Sequence, residues 1–355
     1  MKIKKLLGFI ISTVMLCGCG TSSYTGSRDF ASEAASSAES YDTEIPDDHS
    51  ETESDFAMEI PAGLEEIPSD YYSQADRQGT LEELNYETYE SFSYEEKTQK
   101  LNKRAIVYLP YGYNENEQYN IFYLMHGGWS DETTALGTPD SPNQMKNVVD
   151  HAIEDGRMQP MIIVCPTYNN TSSDDSSNFS LAMDLTRNYY NELLNDLIPA
   201  AEGKYHTYAD STSAGDLAAS REHRGFGGFS MGSVATWWTF RNCLDYFKYF
   251  MPMSCGAVLD DEYIFKTARG YSQNDYFVFI MTGTDDFAYS YDNDRVDKMR
   301  SSEYFTEGRN FAYRVKDGYS HDGLASMEYT YNGLIRFWNT RNTAVFPYKL
   351  SGQKR

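Results

Sequence analysis

Gly228-Phe229-Ser230-Met231-Gly232 sets a serine between small residues at the end of a strand-like run, and only one histidine, His321 in "DGYSHDG", follows it in the chain. A serine hydroxyl is a weak nucleophile until a base takes its proton, and the base needs an acid to fix its tautomer. Carboxylates lie between the two, where "YFVFIMTG" runs into Thr284-Asp285-Asp286. Asp286 is the first choice for the acid and Asp285 the reserve, with Asp260 and Asp261 a less favoured alternative. The chemistry this allows is acyl transfer through a covalent intermediate. The negative oxygen formed on the way needs backbone donors, and "LMHGGWS" supplies a close-approaching pair of glycines. The N–H groups of Gly128 and Met231 are the candidate oxyanion donors. Trp129 follows that loop and is a candidate substrate contact, whereas His126 reads as structural.

These residues have to be brought together by elements far apart in the chain. "YETYESFSY" and "KRAIVYLP" read as early strands, being short, aromatic or β-branched, and bounded by turn residues. "YNIFYLMHGG", "QPMIIVCPTY", "HRGFGGF", "KYFMPMSCG", "YFVFIMTG" and "NFAYRVKDG" read as further strands, most of them continuously apolar. Between them lie helical patterns. Met145, Val148, Val149 and Ile153 are spaced for a helix closed by Gly156, and others are expected over 181–205, ending near Pro199 or shortly beyond, and over 231–244, 291–302 and 324–339. Apolar strands alternating with helices predict one α/β domain, a mostly parallel central sheet with helices on both faces. On such a sheet the glycines around Ser230 permit a sharp strand-to-helix turn, and the order serine, acid, histidine is that of an α/β-hydrolase.

Taken in order, "VYLPYGYN", "YNIFYLMHGGWSDE", "PMIIVCPTY", "NELLNDLIPAAEGKYHTYA", "REHRGFGGFSMGSVATWW", "GTDD" and "YSHD" resemble the feruloyl esterase and acetylxylan esterase group of carbohydrate esterases, related to the esterase D type. The resemblance spans about residues 85–340. It implies an α/β-hydrolase that removes feruloyl or acetyl groups from plant xylan or its oligosaccharides without a cofactor or metal, with Ser230 as nucleophile, Asp286 as acid and His321 as base. "GTDD" stands where the group often has "GTND", leaving the last aspartate in register. Trp129-Ser130-Asp131-Glu132 departs from the further glycine and Asn-Asp-Trp-like run common after "HGG", so the rim of the acyl pocket is expected to differ. An acyltransferase, a serine peptidase or lipase, and a non-catalytic carbohydrate-binding lipoprotein remain alternatives. The first needs only a sugar acceptor in place of water. The peptidase would want a propeller domain and the lipase a longer apolar lid.

The remaining histidines have plainer readings. His223 resembles a structural position of the group, and His151 and His206 suit helix packing or the surface. Trp237 and Trp238 lie along the helix after Ser230 and suit the core, while Tyr289 and Tyr291 after the acid loop suit stacking on sugar or ferulate as well as exposed loops.

The 355-residue chain opens with three lysines, an apolar run and small residues, the layout of an export signal over 1–19. Leu16-Cys17-Gly18-Cys19 resembles a lipobox, which makes Cys19 a lipid anchor and the protein a surface lipoprotein; free secretion is the other reading. Residues 20–60 are rich in Ser, Thr, Asp and Glu without apolar periodicity and are expected to be a disordered tether, leaving 61–350 as the folded domain. A net charge of −23 argues against nucleic acid as a partner. Cys165, Cys243 and Cys255 lack metal-ligand spacing and read as buried thiols, with a Cys243–Cys255 bridge left open.

Overall fold

The computed structural model describes residues 58, 60–256 and 260–339, all within one folded unit, Ser54–Arg355. The proposed leader, Cys19, nearly all of the tether 20–60, and residues 340–350 of the expected domain lie outside the described residues.

Eight strands form one sheet: β1 (Thr80–Tyr89), β2 (Lys100–Leu109), β3 (Asn120–Met125), β4 (Met161–Cys165), β5 (Arg224–Phe229), β6 (Tyr249–Met253), β7 (Phe277–Gly283) and β8 (Phe311–Lys316). Their order across the sheet is β1-β2-β4-β3-β5-β6-β7-β8. Strand β2 runs antiparallel to both neighbours, and every pairing from β4 to β8 is parallel. This is the predicted mostly parallel architecture. Every residue of β4, β6 and β7 is buried, as it must be when both faces of a sheet are covered.

The helices named here are α1 (Gln144–Glu154), α2 (Phe179–Asn188), α3 (Met231–Cys243), α4 (Asp261–Ala268), α5 (Tyr289–Arg300) and α6 (Gly323–Leu334). On one face Met145, Val148 and Val149 of α1 and Tyr329, Tyr331 and Leu334 of α6 pack on Phe122, Ile163 and Met251. On the other, α2 to α5 cover Ile121, Val164, Phe226 and Phe250, with Trp237, Trp238 and Phe240 of α3 at the centre. Side chains of this size contribute on the order of 2–3 kcal/mol each when removed from water. At the base of β5 the buried Arg224 guanidinium pairs with Glu202 at 2.6 Å and donates to the Leu217 and Tyr246 carbonyls. The strand that leads to Ser230 is thereby pinned to the segments on either side of it.

Several boundaries differ from the sequence reading. β1 begins at Thr80 rather than near Tyr86, and "ESFSY" turns away from the sheet because the Glu90 carboxylate caps the N–H groups of Phe92 and Ser93. The helix expected over 181–205 is interrupted: after α2 come a short turn, a π turn over Leu193–Leu197, and a helical end over Ile198–Glu202. Pro199 stands in the first turn of that last piece, and the segment ends at Glu202, shortly beyond it, as expected. The helix α4 was not foreseen; Asp260 caps it by accepting from the Glu262 N–H. In β6, Pro252 can donate nothing to the ladder, and the pairing with β7 passes from Phe250↔Val278 to Met253↔Met281.

Candidate active site

β5 ends at Phe229, and the chain reverses into α3 through Ser230, whose φ of 58° and ψ of −117° are far outside ordinary helical or strand values. Such a backbone costs on the order of 1–3 kcal/mol and is held by its surroundings. The Ser230 N–H donates to the Met253 carbonyl at 3.0 Å, and its own carbonyl accepts from Ser233. The flanking glycines are required for a reason more specific than crowding of the serine itself. A Cβ on Gly228 would stand 2.5 Å from the Met125 carbonyl oxygen, and one on Gly232 would stand 2.4 Å from the same atom and 2.9 Å from that of His126. The elbow packs directly on the end of β3, which leads into the His126-Gly127-Gly128 loop.

That loop is correspondingly close. A Cβ on Gly127 would lie 3.4 Å from Ser230 Cβ. Met231 is the first residue of α3, so its N–H has no helical carbonyl to bond. Among the described residues the Gly128 N–H likewise has no protein acceptor. Both are donors at the end of a helix and loop lining the same cavity as Ser230.

His321 stands on the loop between β8 and α6. Its Nδ1–H donates to both oxygens of Asp286 at 2.9 Å, which leaves Nε2 free to take a proton. Asp286 also accepts from the Ala288 N–H at 2.8 Å and from the Ser254 hydroxyl. Burial pushes its carboxyl upward, but the His321 bond and these donors outweigh it and hold the group below the ordinary carboxylate value. The imidazole is packed by two tilted aromatic rings, Phe229 at 4.5 Å and Phe287 at 4.3 Å between centroids. Among the described residues the Ser230 hydroxyl makes no hydrogen bond; nucleophile–base contacts commonly tighten only when substrate is bound.

The structure thus brings Ser230, His321, Asp286 and the Gly127–Gly128 peptide to one rim. It does not bring the other carboxylates there. Asp285 is exposed and its N–H is bonded to the Tyr319 carbonyl. Asp260 caps α4, and Asp261 is taken up by Arg295 and Lys298 at 2.9 and 2.6 Å. His151 stacks on Tyr71, His223 on Tyr208, and His206 bonds the Glu117 carbonyl. Cys165, Cys243 and Cys255 are buried and not disulfide-bonded, so the Cys243–Cys255 bridge left open is not formed. No group of His, Cys, Asp or Glu among the described residues is arranged to hold a metal ion.

Above the reacting groups opens a cavity of about 760 Å³. Its walls are largely apolar, with Leu124, Met125, Met145, Met253 and Met327 inside and Trp129, Phe179 and Phe287 at the mouth. Trp129 is 75% exposed and adopts a positive φ of 53°. Tyr289 and Tyr291 do not line the cavity; the aromatic after the acid loop that does is Phe287, which lies over Gly256. Phe179 and Phe287 escaped sequence reasoning, because no spacing rule connects a loop aromatic to a cavity. Also unforeseen was the segment after β4. There the Ser176 carbonyl accepts from the Trp129 N–H at 3.0 Å, and the Asn169 side chain holds both Ser130 and Ser176.

The Esterase family model matches residues 98–331. The chain is 37% identical over 300 residues to endo-1,4-beta-xylanase Y of Acetivibrio thermocellus, covering 81% of this chain and 26% of the xylanase. It spans about a quarter of the length of the curated relatives it matches. Among solved structures, the feruloyl esterase module of Clostridium thermocellum, a serine-to-alanine mutant complexed with sinapinate, is 34% identical with a TM-score of 0.67. The match covers 80% of this chain and 96% of that one. A ferulic acid esterase from Anaeromyces mucronatus, at 20% identity and a TM-score of 0.58 over 79% of this chain and 98% of that one, shares the fold.

Proposed function

The chain belongs to the Esterase family, and from that premise we propose that it is a serine carboxylic-ester hydrolase releasing feruloyl groups from acylated xylan or its oligosaccharides. The observation that carries this reading is that a serine on a strained elbow, a His–Asp pair and an unpaired loop N–H border one apolar cavity. Ser230 Oγ attacks the ester carbonyl while His321 Nε2 takes its proton. The tetrahedral oxyanion is held by the N–H groups of Gly128 and Met231. His321 returns the proton to the departing sugar oxygen, and water, activated by the same imidazole, then releases the acid. Asp286 keeps Nδ1 protonated and the ring in place throughout.

The size and lining of the cavity favour an aromatic acyl group over acetyl. A two-carbon acid would leave most of about 760 Å³ unfilled, whereas a phenylpropenoyl group can cover the methionines and reach the aromatic mouth. The similarity to a feruloyl esterase module supports the same choice. Ser230→Ala is expected to lower kcat on methyl ferulate by on the order of a million-fold; a variant that keeps full activity rejects the mechanism. The reading extends to export through the leader 1–19 and a lipid on Cys19, which mass spectrometry of the mature N-terminus tests: an unmodified terminus excludes the anchor.

A further inference from the structure

The Gly127–Gly128 peptide has no side chain of its own to hold it, yet it must point its N–H accurately. A trans peptide is planar, so fixing the Gly127 carbonyl on one side fixes the Gly128 N–H on the other. Two side chains do the fixing. Tyr168 Oη–H donates to the Gly127 carbonyl at 2.8 Å, and His126 Nδ1–H donates to it at 2.7 Å, with the two rings stacked 4.4 Å apart.

The histidine's tautomer follows from its partners. A carbonyl can only accept, so the proton is on Nδ1, and Nε2 accepts from the Thr167 hydroxyl at 2.7 Å. That hydroxyl in turn accepts from the Asn169 N–H at 3.0 Å. Lys103 Nζ anchors the same residue by donating to the Thr167 carbonyl at 2.7 Å. Burial pushes the His126 pKa down to about 4, so the ring is neutral through the working range and the proton arrangement does not change. The bonds run in one direction, from Asn169 through Thr167 and His126 to the Gly127 oxygen, and a chain so aligned polarises each member.

We propose that Tyr168 and His126 are positioning residues that jointly aim and polarise the Gly128 N–H toward the oxyanion, so that their worth is realised in the transition state. The inference rests on the esterase reading and adds to it a pair of side chains that act through the Gly127–Gly128 peptide. It assigns the "HGG" histidine and the tyrosine of "CPTY" to one device, although they stand on loops after different strands, β3 and β4.

The test uses Tyr168→Phe, which removes one oxygen and leaves the ring. Its kcat on methyl ferulate, counted per site labelled to completion by a fluorophosphonate, is expected to fall about ten-fold with KM within about two-fold, less than the loss of a whole donor. Inhibition by phenylboronic acid, whose serine adduct is tetrahedral, is expected to weaken by the same factor while inhibition by free ferulate stays constant. His126→Asn, which keeps a donor near Nδ1, is expected to retain more kcat than His126→Leu. Parent values of kcat and of boronate inhibition in Tyr168→Phe overturn the proposal, as does a loss confined to KM or to the labelled fraction. If Ser230→Ala still hydrolyses the ester, the esterase reading itself falls; an inactive Ser230→Ala beside an unimpaired Tyr168→Phe removes only this inference.

Discussion

Burial alone raises the pKa of the Asp286 carboxyl, yet hydrogen bonds from His321, the Ala288 N–H and the Ser254 hydroxyl leave it below the ordinary 3.8. A carboxylate depressed in the folded state contributes stability that is present above its unfolded pKa and is lost as the pH falls through the folded value. Asp286→Asn is therefore expected to be less stable than the parent at neutral pH, with the gap in urea midpoint closing as the pH drops below about 4. The same variant presents His321 with an amide and invites the wrong tautomer, so kcat is expected to fall by about 10⁴ with little change in KM. A midpoint gap that is constant with pH contradicts the charge argument, and an undiminished kcat contradicts the role. Ser230, His321 and Asp286 were legible in the sequence because the chemistry restricts both residue type and chain order. Phe287 over His321 and Tyr168 behind Gly127 were not, since a ring on an imidazole and a hydroxyl on a carbonyl are set by how loops fold back, which leaves no periodic trace.

At the scale of elements, the acid loop after β7 and the histidine loop after β8 are tied to each other rather than merely adjacent. Thr284 N–H donates to the Lys316 carbonyl, Asp285 N–H to that of Tyr319, and Gly318 N–H to the Thr284 hydroxyl. Gly283 is what allows the crossing, because a Cβ there would stand 2.0 Å from the Tyr319 oxygen. Gly283→Ala must push the His321 loop away, and a misplacement near 1 Å can cost about 100-fold in rate. The expected outcome is a fall in kcat of that order alongside roughly 1–3 kcal/mol of lost stability, read from kinetics and urea unfolding on one preparation; unaltered kinetics contradict the coupling of the two loops. The parallel strands were legible because burial on both faces writes them as unbroken apolar runs. The start of β1 was misplaced because its buried positions, Leu81, Leu84, Tyr86 and Thr88, do not alternate strictly. Helix α4 was missed because "DDEYIFKTARG" offers a cap but only a short apolar face.

For the molecule as a whole, the ends of β3, β5, β7 and β8 deliver their loops to one edge of the sheet, so the reacting groups rest on a core that α1 and α6 close from below and α2 to α5 from the other side. That arrangement separates two demands. For the proposed esterase, bond-making geometry falls to short loops hydrogen-bonded to each other, and the acyl group to an apolar wall with three exposed aromatics at its mouth. Specificity should then track the wall and not the triad. Filling the cavity with a phenylpropenoyl group is worth on the order of 1.5–3 kcal/mol over a methyl, so kcat/KM for methyl ferulate is expected to exceed that for methyl acetate by about 10- to 100-fold. Phe179, 57% exposed and lining the cavity, lies outside the hydrogen-bonded machinery. Phe179→Ala is expected to lower kcat/KM for ferulate about three- to ten-fold through lost ring contact and to leave methyl acetate unchanged. Equal losses on both esters would mean that Phe179 supports the reacting loops, and a parent chain indifferent to the acyl group would remove the argument from cavity size.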